Sequence, residues 1–151
     1  MRKILTLPAA ERWILLEACA LLFFFSCALR VLPFRVVVRV AGMEDPRCGN
    51  GMMRRFRPAR VATLVKGVGG VLRMSCLTRA LALARMLASR GIQHELCIGV
   101  RRSGSALDAH AWVTASGDAL IGAADPGAYV PLAQLQPRIT ADARGSARSS
   151  R

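Results

Sequence analysis

Only 5% of the 151 residues are aromatic, and no zinc-finger or RNA-recognition signature occurs. The chain therefore lacks the stacking surfaces and metal-held modules that sequence-reading nucleic-acid proteins use, and no nucleic-acid partner is expected. Acids are scarce as well. Nine Asp+Glu against 22 Lys+Arg leave a net charge of +13, which admits acidic peptides and anionic membrane surfaces as partners. The five cysteines, Cys19, Cys27, Cys48, Cys76 and Cys97, form no CxxC pair and no Cys/His metal spacing. Their odd number and scatter exclude a fully paired disulfide framework and fit a reducing, cytoplasmic setting, with no metal site expected. There is no internal repeat and no phosphate-binding loop; "KGVGG" has glycines without the pattern. The length suits one core, expected over residues 1–137, followed by a basic disordered tail at 138–151.

What is present is hydrophobic patterning of two periods. The run Trp13 to Leu32 approaches bilayer length, but Glu17 and Arg30 interrupt it and leave a stretch of only twelve residues, Ala18 to Leu29, between them. That is short for a span, and no small-x-small cleavage site follows, so a signal peptide fits poorly. The pattern predicts a hydrophobic N-terminal helix, amphipathic to fully buried, from about residue 8 to 32 and capped near Thr6, with peripheral membrane contact left open. Gly42 to Pro58 reads as a loop, with a basic cluster at Arg54, Arg55, Arg57 and Arg60 whose default role is a solvated face. A modest helix is expected over Ala59–Gly67, then a flexible break at "KGVGG". The stretch "MSCLTRALALARMLASRG", Met74 to Gly91, is a strong helix: Leu77, Leu81, Ala84 and Ala88 recur at helical steps, Ser75 is an N-cap and Gly91 a stop. Beyond it the period becomes two. Strands are expected at His94–Arg101, Ala109–Ala115 and from Ala119 to Ile121, with "RRSGSALD" and "SGD" as turns, giving a helix followed by an antiparallel meander in an α+β fold.

Cys76 falls in the first turn of the Met74–Gly91 helix, where unpaired N–H groups and the positive end of the dipole favour a thiolate. A packed, inert cysteine is the alternative. Of the two histidines, His94 lies at a loop-to-strand junction and is expected to be exposed, whereas His110 shares a strand face with Trp112 and Thr114. His110 is the candidate base, against a purely structural histidine. A catalytic imidazole needs an acceptor on its far nitrogen. A short hairpin at "SGD" would bring Ala123 to Asp125 opposite His110, and Asp125 is the carboxylate there. Asp118 is expected in the turn and solvated, and Asp108 at the turn or on the opposite face.

In combination, "SCLTRALALARMLASRGIQHELCIGV", "AHAWV", "ADPG" and the N-terminal "LPAAERWILLEA" to "LRVLPF" resemble the transglutaminase-like cysteine peptidases that remove leader peptides in lasso-peptide biosynthesis. The resemblance covers Leu7 to about Leu132. It implies a transglutaminase-like, papain-like core in which a cysteine at a helix N-terminus packs on a small antiparallel sheet. It also implies Cys76 as nucleophile and His110 as general base. Asp125-Pro126 resembles the Asp-Pro of the broader transglutaminase pattern, while Gly122 stands where some relatives carry Asp. Ser75 and Trp112, beside the pair, are candidate substrate contacts. The implied partners are a precursor peptide, a macrolactam cyclase homologous to asparagine synthetase, and a separate leader-recognition protein, since only about a dozen residues precede the hydrophobic run at Trp13. No cofactor is implied for hydrolysis; ATP belongs to the cyclase. Two other classes stay open: a transglutaminase-like acyltransferase, and a basic membrane-peripheral binding protein in which Cys76 is merely packed.

Overall fold

The computed structural model describes residues 9–43, 57–122 and 128–137. Thr6, Cys48, Arg54, Arg55, Asp125 and the expected tail at 138–151 lie outside the described residues. Four α-helices precede a four-stranded antiparallel sheet: α1 (Ala9–Val31), α2 (Phe34–Val38, running on into a wider-pitched turn at Arg39–Met43), α3 (Pro58–Val71), α4 (Cys76–Ser89), β1 (Glu95–Ser103), β2 (Ala106–Ala115), β3 (Asp118–Ile121) and β4 (Val130–Leu135). The expected α+β architecture, with an apolar N-terminal helix ahead of the cysteine helix and sheet, is the one observed.

The central element is α4. Ser75 caps it, its hydroxyl oxygen accepting from the Thr78 N–H at 3.2 Å, and Gly91 closes it with a φ of 66°. Between these ends Ala80 to Ala84 and Met86 to Ala88 are all buried, so the helix is wrapped on more than one face. Ile14, Ala18, Leu22 and Phe25 of α1, Val61 and Val65 of α3, and Leu96, Ala111 and Val113 of the sheet complete one core with it. Each fully buried leucine or phenylalanine contributes ~1.5–3 kcal/mol of transfer free energy.

Several local expectations are corrected. The "KGVGG" stretch is helical, and α3 runs on to Val71. Glycine is a poor helix former, but Gly69 is buried against Arg79 of α4, whose side-chain carbons lie 2.5–2.6 Å from where a Cβ would sit. Close packing of the two helices outweighs propensity there. The turn in "RRSGSALD" is only Gly104–Ser105, because β1 and β2 pair out to Ser103 and Ala106. A fourth strand, β4, lies beside β1, so the order is β3-β2-β1-β4. Pro131 is tolerated in it because β4 is an edge, where a missing N–H interrupts no ladder on the outer side. His94 is 5% exposed, not at the surface, with Nδ1 2.8 Å from the Ile92 carbonyl oxygen. Burial pushes its pKa below the ordinary value, against the smaller opposing effect of that backbone bond.

The two acids of α1, Glu11 in its first turn and Glu17 within its hydrophobic run, are ion-paired to residues behind the helix. Glu11 receives a two-pronged bond from Arg60 of α3 (3.0 and 2.9 Å). Glu17 receives another from Arg90 (3.2 and 2.6 Å). Arg90, just past α4, is 2% exposed and also donates to the Met86 carbonyl at 2.7 Å. Glu17 is thus the counter-charge of a buried guanidinium. Glu17→Ala should lower stability by about 2 kcal/mol in urea denaturation, less than the ~3–5 of a fully buried pair because the Glu17 side chain is still 36% exposed. A change within about 0.5 kcal/mol would show that Arg90 is satisfied without it.

Candidate active site

Alternation along β2 sends Ala111 and Val113 into the core shared with α4, and Asp108, His110 and Trp112 to the other face. Across the β1–β2 ladder these three face Arg101, Gly99 and Cys97. Tyr129, immediately before β4, lies over this face. Its ring stacks on His110 with centroids 5.5 Å apart and planes at 28°, and it meets Trp112 at 6.0 Å. The Tyr129 hydroxyl donates to Asp108 Oδ2 at 3.2 Å. Arg101 donates to the same oxygen at 2.9 Å and sets its guanidinium 4.8 Å from the Tyr129 ring centre. Such a cation over an aromatic face adds a modest attraction.

Cys76 is the first residue of α4 and half-buried. The Tyr129 pKa is raised, first by desolvation, with Asp108 and Cys76 adding to the rise and Arg101 opposing it. The Tyr129 ring thus covers the imidazole of His110, one half of the expected pair.

The remaining expected site residues are distributed as follows. Ser75 is exposed at the mouth of α4, its hydroxyl engaged with Thr78 Oγ1 at 2.8 Å as well as with the Thr78 N–H. Trp112 is only 4% exposed; it backs Tyr129 and Cys97 and offers substrate little surface. Asp118 is exposed at the start of β3. Asp108, expected at the turn or on the opposite face, is on the face of His110, two residues away along the strand. At Gly122 no side chain fits: φ is +107°, and a Cβ would lie 2.4 Å from the Cβ of Trp112. A carboxylate at that position is excluded by the packing of this chain, so an orienting acid has to come from elsewhere. Tyr129 and Arg101 were missed from the sequence; the one available signal was that Tyr129 is the only tyrosine. Among the described residues no group of three or more His, Cys, Asp or Glu could hold a metal ion.

Exposure separates the thiols. Cys97 is 3% exposed, and burial, with Glu95 adding, pushes its pKa up to about 11. In the native protein at pH 8, iodoacetamide should modify Cys76 and the exposed Cys27 and leave Cys97 untouched until the chain is unfolded. Peptide mapping by mass checks this. Labelling of Cys97 at the rate of Cys27 would mean that the sheet face opens freely.

Residues 19–134 match the model of the transglutaminase-like superfamily, and the chain belongs to that superfamily. The match takes in the cysteine helix and all four strands, and its members are cysteine-dependent acyl-transfer proteins, usually catalytic. No curated protein and no solved structure gives a significant match.

Proposed function

We propose that this protein is a cysteine peptidase that removes the leader from a ribosomally made precursor, the lasso-peptide class being the substrate its motifs resemble most. The observations that support the reading are a half-buried thiol at the start of a capped helix and a strand imidazole stacked under Tyr129, in a chain of the transglutaminase-like superfamily. Cys76 sulfur attacks the scissile carbonyl as His110 takes its proton, and the helix-start N–H groups stabilise the oxyanion. The carbon–nitrogen bond breaks, His110 protonates the departing amine of the core peptide, and the leader remains on Cys76 as a thioester. Water, deprotonated by His110, then releases the leader as a free acid. Asp125 holds His110 in the productive tautomer. Every proton is carried by these side chains and water, so the step uses no metal or organic cofactor.

In this reading a leader-recognition protein delivers the precursor, raising its local concentration at the site. The asparagine-synthetase-like cyclase then closes the freed core with ATP, in the cytoplasm, where the thiol stays reduced. The test is to incubate the protein with a precursor encoded beside it, with and without the recognition protein, and to weigh the products. Free leader acid plus intact core, formed faster with the recognition protein, is expected. Leader joined to an amine acceptor would assign the scaffold to transfer instead, and an unchanged precursor under all conditions would overturn the reading.

A further inference from the structure

The outer face of α1 is apolar and uncovered. Trp13 (71% exposed), Leu16 (62%), Phe23 (60%) and Val31 (80%) fall on one stripe at helical steps, and Phe24 and Phe34 are also exposed near it. Ala20 and Cys27, which fill the intervening steps, are exposed too. At 1.5 Å per residue the stripe is about 27 Å long, longer than the scattered single apolar residues that normally dot a surface. The opposite face of the helix is committed: Ile14, Ala18, Leu22, Phe25 and Ala28 belong to the core.

Charge tells what covers the outer face. Both acids of α1 are drawn into ion pairs with residues of the domain behind it, Glu11 with Arg60 and Glu17 with Arg90. The exposed charges of α1 and α2 are then basic: Arg12 and Arg30 on α1, and Arg35 on α2. A helix with one face packed on its own domain, the other apolar with Trp at one end, and arginines along its borders has the composition of an element lying in the plane of a membrane interface. Composition alone would let α1 cross a bilayer. Its packing against α3 and α4 and its two ion pairs tie it along its length to the domain, which fits lying on the surface.

We propose that α1 and the start of α2 dock the protein on anionic lipid, the apolar stripe entering the interface and Arg12, Arg30 and Arg35 engaging lipid phosphates. The chain carries its own probe. Of the two tryptophans, Trp112 is 4% exposed and Trp13 71%, so a change in emission on adding vesicles reports Trp13.

The experiment mixes the full chain with vesicles of phosphatidylcholine alone or with phosphatidylglycerol, following co-sedimentation and tryptophan emission. Binding to the anionic vesicles with a blue shift is expected, and binding at least about tenfold weaker to the neutral ones. At ~1 kcal/mol per basic residue near the surface, the triple variant Arg12→Gln, Arg30→Gln, Arg35→Gln should weaken anionic binding by roughly 100-fold. Leu16→Glu with Phe23→Glu should abolish the blue shift at unchanged melting temperature, since both side chains are exposed. The arginine variant tests the same surface should the glutamates disturb folding. Equal binding to neutral and anionic vesicles, or none to either, would overturn the proposal. So would Trp13 already blue-shifted without lipid in a concentration-dependent dimer, which would assign the stripe to a second copy.

Discussion

Cys76→Ala should abolish leader cleavage, by at least about 10⁴-fold, while the protein melts within about 1 kcal/mol of the parent. The two halves of this expectation rest on one observation: Cys76 is half-buried at the edge of α4 and lies outside the core. Truncating it leaves no core cavity of the kind that makes leucine deletions costly, and Ser75 still caps the helix. Without the sulfur no acyl-enzyme forms, and His110 with the helix-start N–H groups gives only residual acceleration. Cys19, Cys27 and Cys97 replaced one at a time should leave turnover intact. The check is the initial rate of leader release, set beside a thermal melt. Cleavage surviving in a folded Cys76→Ala protein would remove the nucleophile and the mechanism with it.

The second large effect concerns the carboxylate. If Asp125 orients His110, Asp125→Asn should keep the fold and lower kcat by ~10³-fold or more, because an amide in that place can favour the wrong imidazole tautomer. Asp118→Asn, at an exposed strand start, should do little. Asp108→Asn is the instructive comparison. Asp108 is on the His110 face, but it is occupied by Arg101 and the Tyr129 hydroxyl, so its loss should loosen the tyrosine that stacks on His110 and cost far less than the loss of Asp125. Rates for the three variants decide among them. If Asp108→Asn is the one that collapses kcat, the acid is Asp108 and the hairpin reasoning that selected Asp125 fails.

How far the sequence revealed this arrangement depends on the range of the interactions. The start of α4 was legible because capping is local: a serine, a hydroxyl acceptor and an N–H three residues on are all in one short stretch. The β1–β2 hairpin was legible from its alternation, except that its arms proved longer than the Gly- and Ser-rich stretch suggested. His94 was expected at the surface and is buried; nothing local marks Arg90 as buried either, since its counter-charge, Glu17, is 73 residues away in sequence. The helical state of "KGVGG" was hidden for the same reason, since the side chain of Arg79 on another helix makes glycine fit at position 69. Tyr129 sits in irregular chain before an exposed edge strand containing a proline, with no periodicity to mark it. Asp125, which lies outside the described residues, was selected by the length of the SGD hairpin and by its Asp-Pro pattern.

The central claim is that Cys76 carries the leader as a thioester made and broken with the help of His110. Its most direct measurement is intact mass on acid-quenched reactions of precursor, recognition protein and enzyme, followed by peptide mapping, with His110→Gln included to slow deacylation. The expected result is an added mass equal to the leader acyl group, located on the peptide bearing Cys76, released by hydroxylamine and longer-lived in His110→Gln. Leader on any other residue, or full turnover with no thioester even when deacylation is slowed, would contradict it.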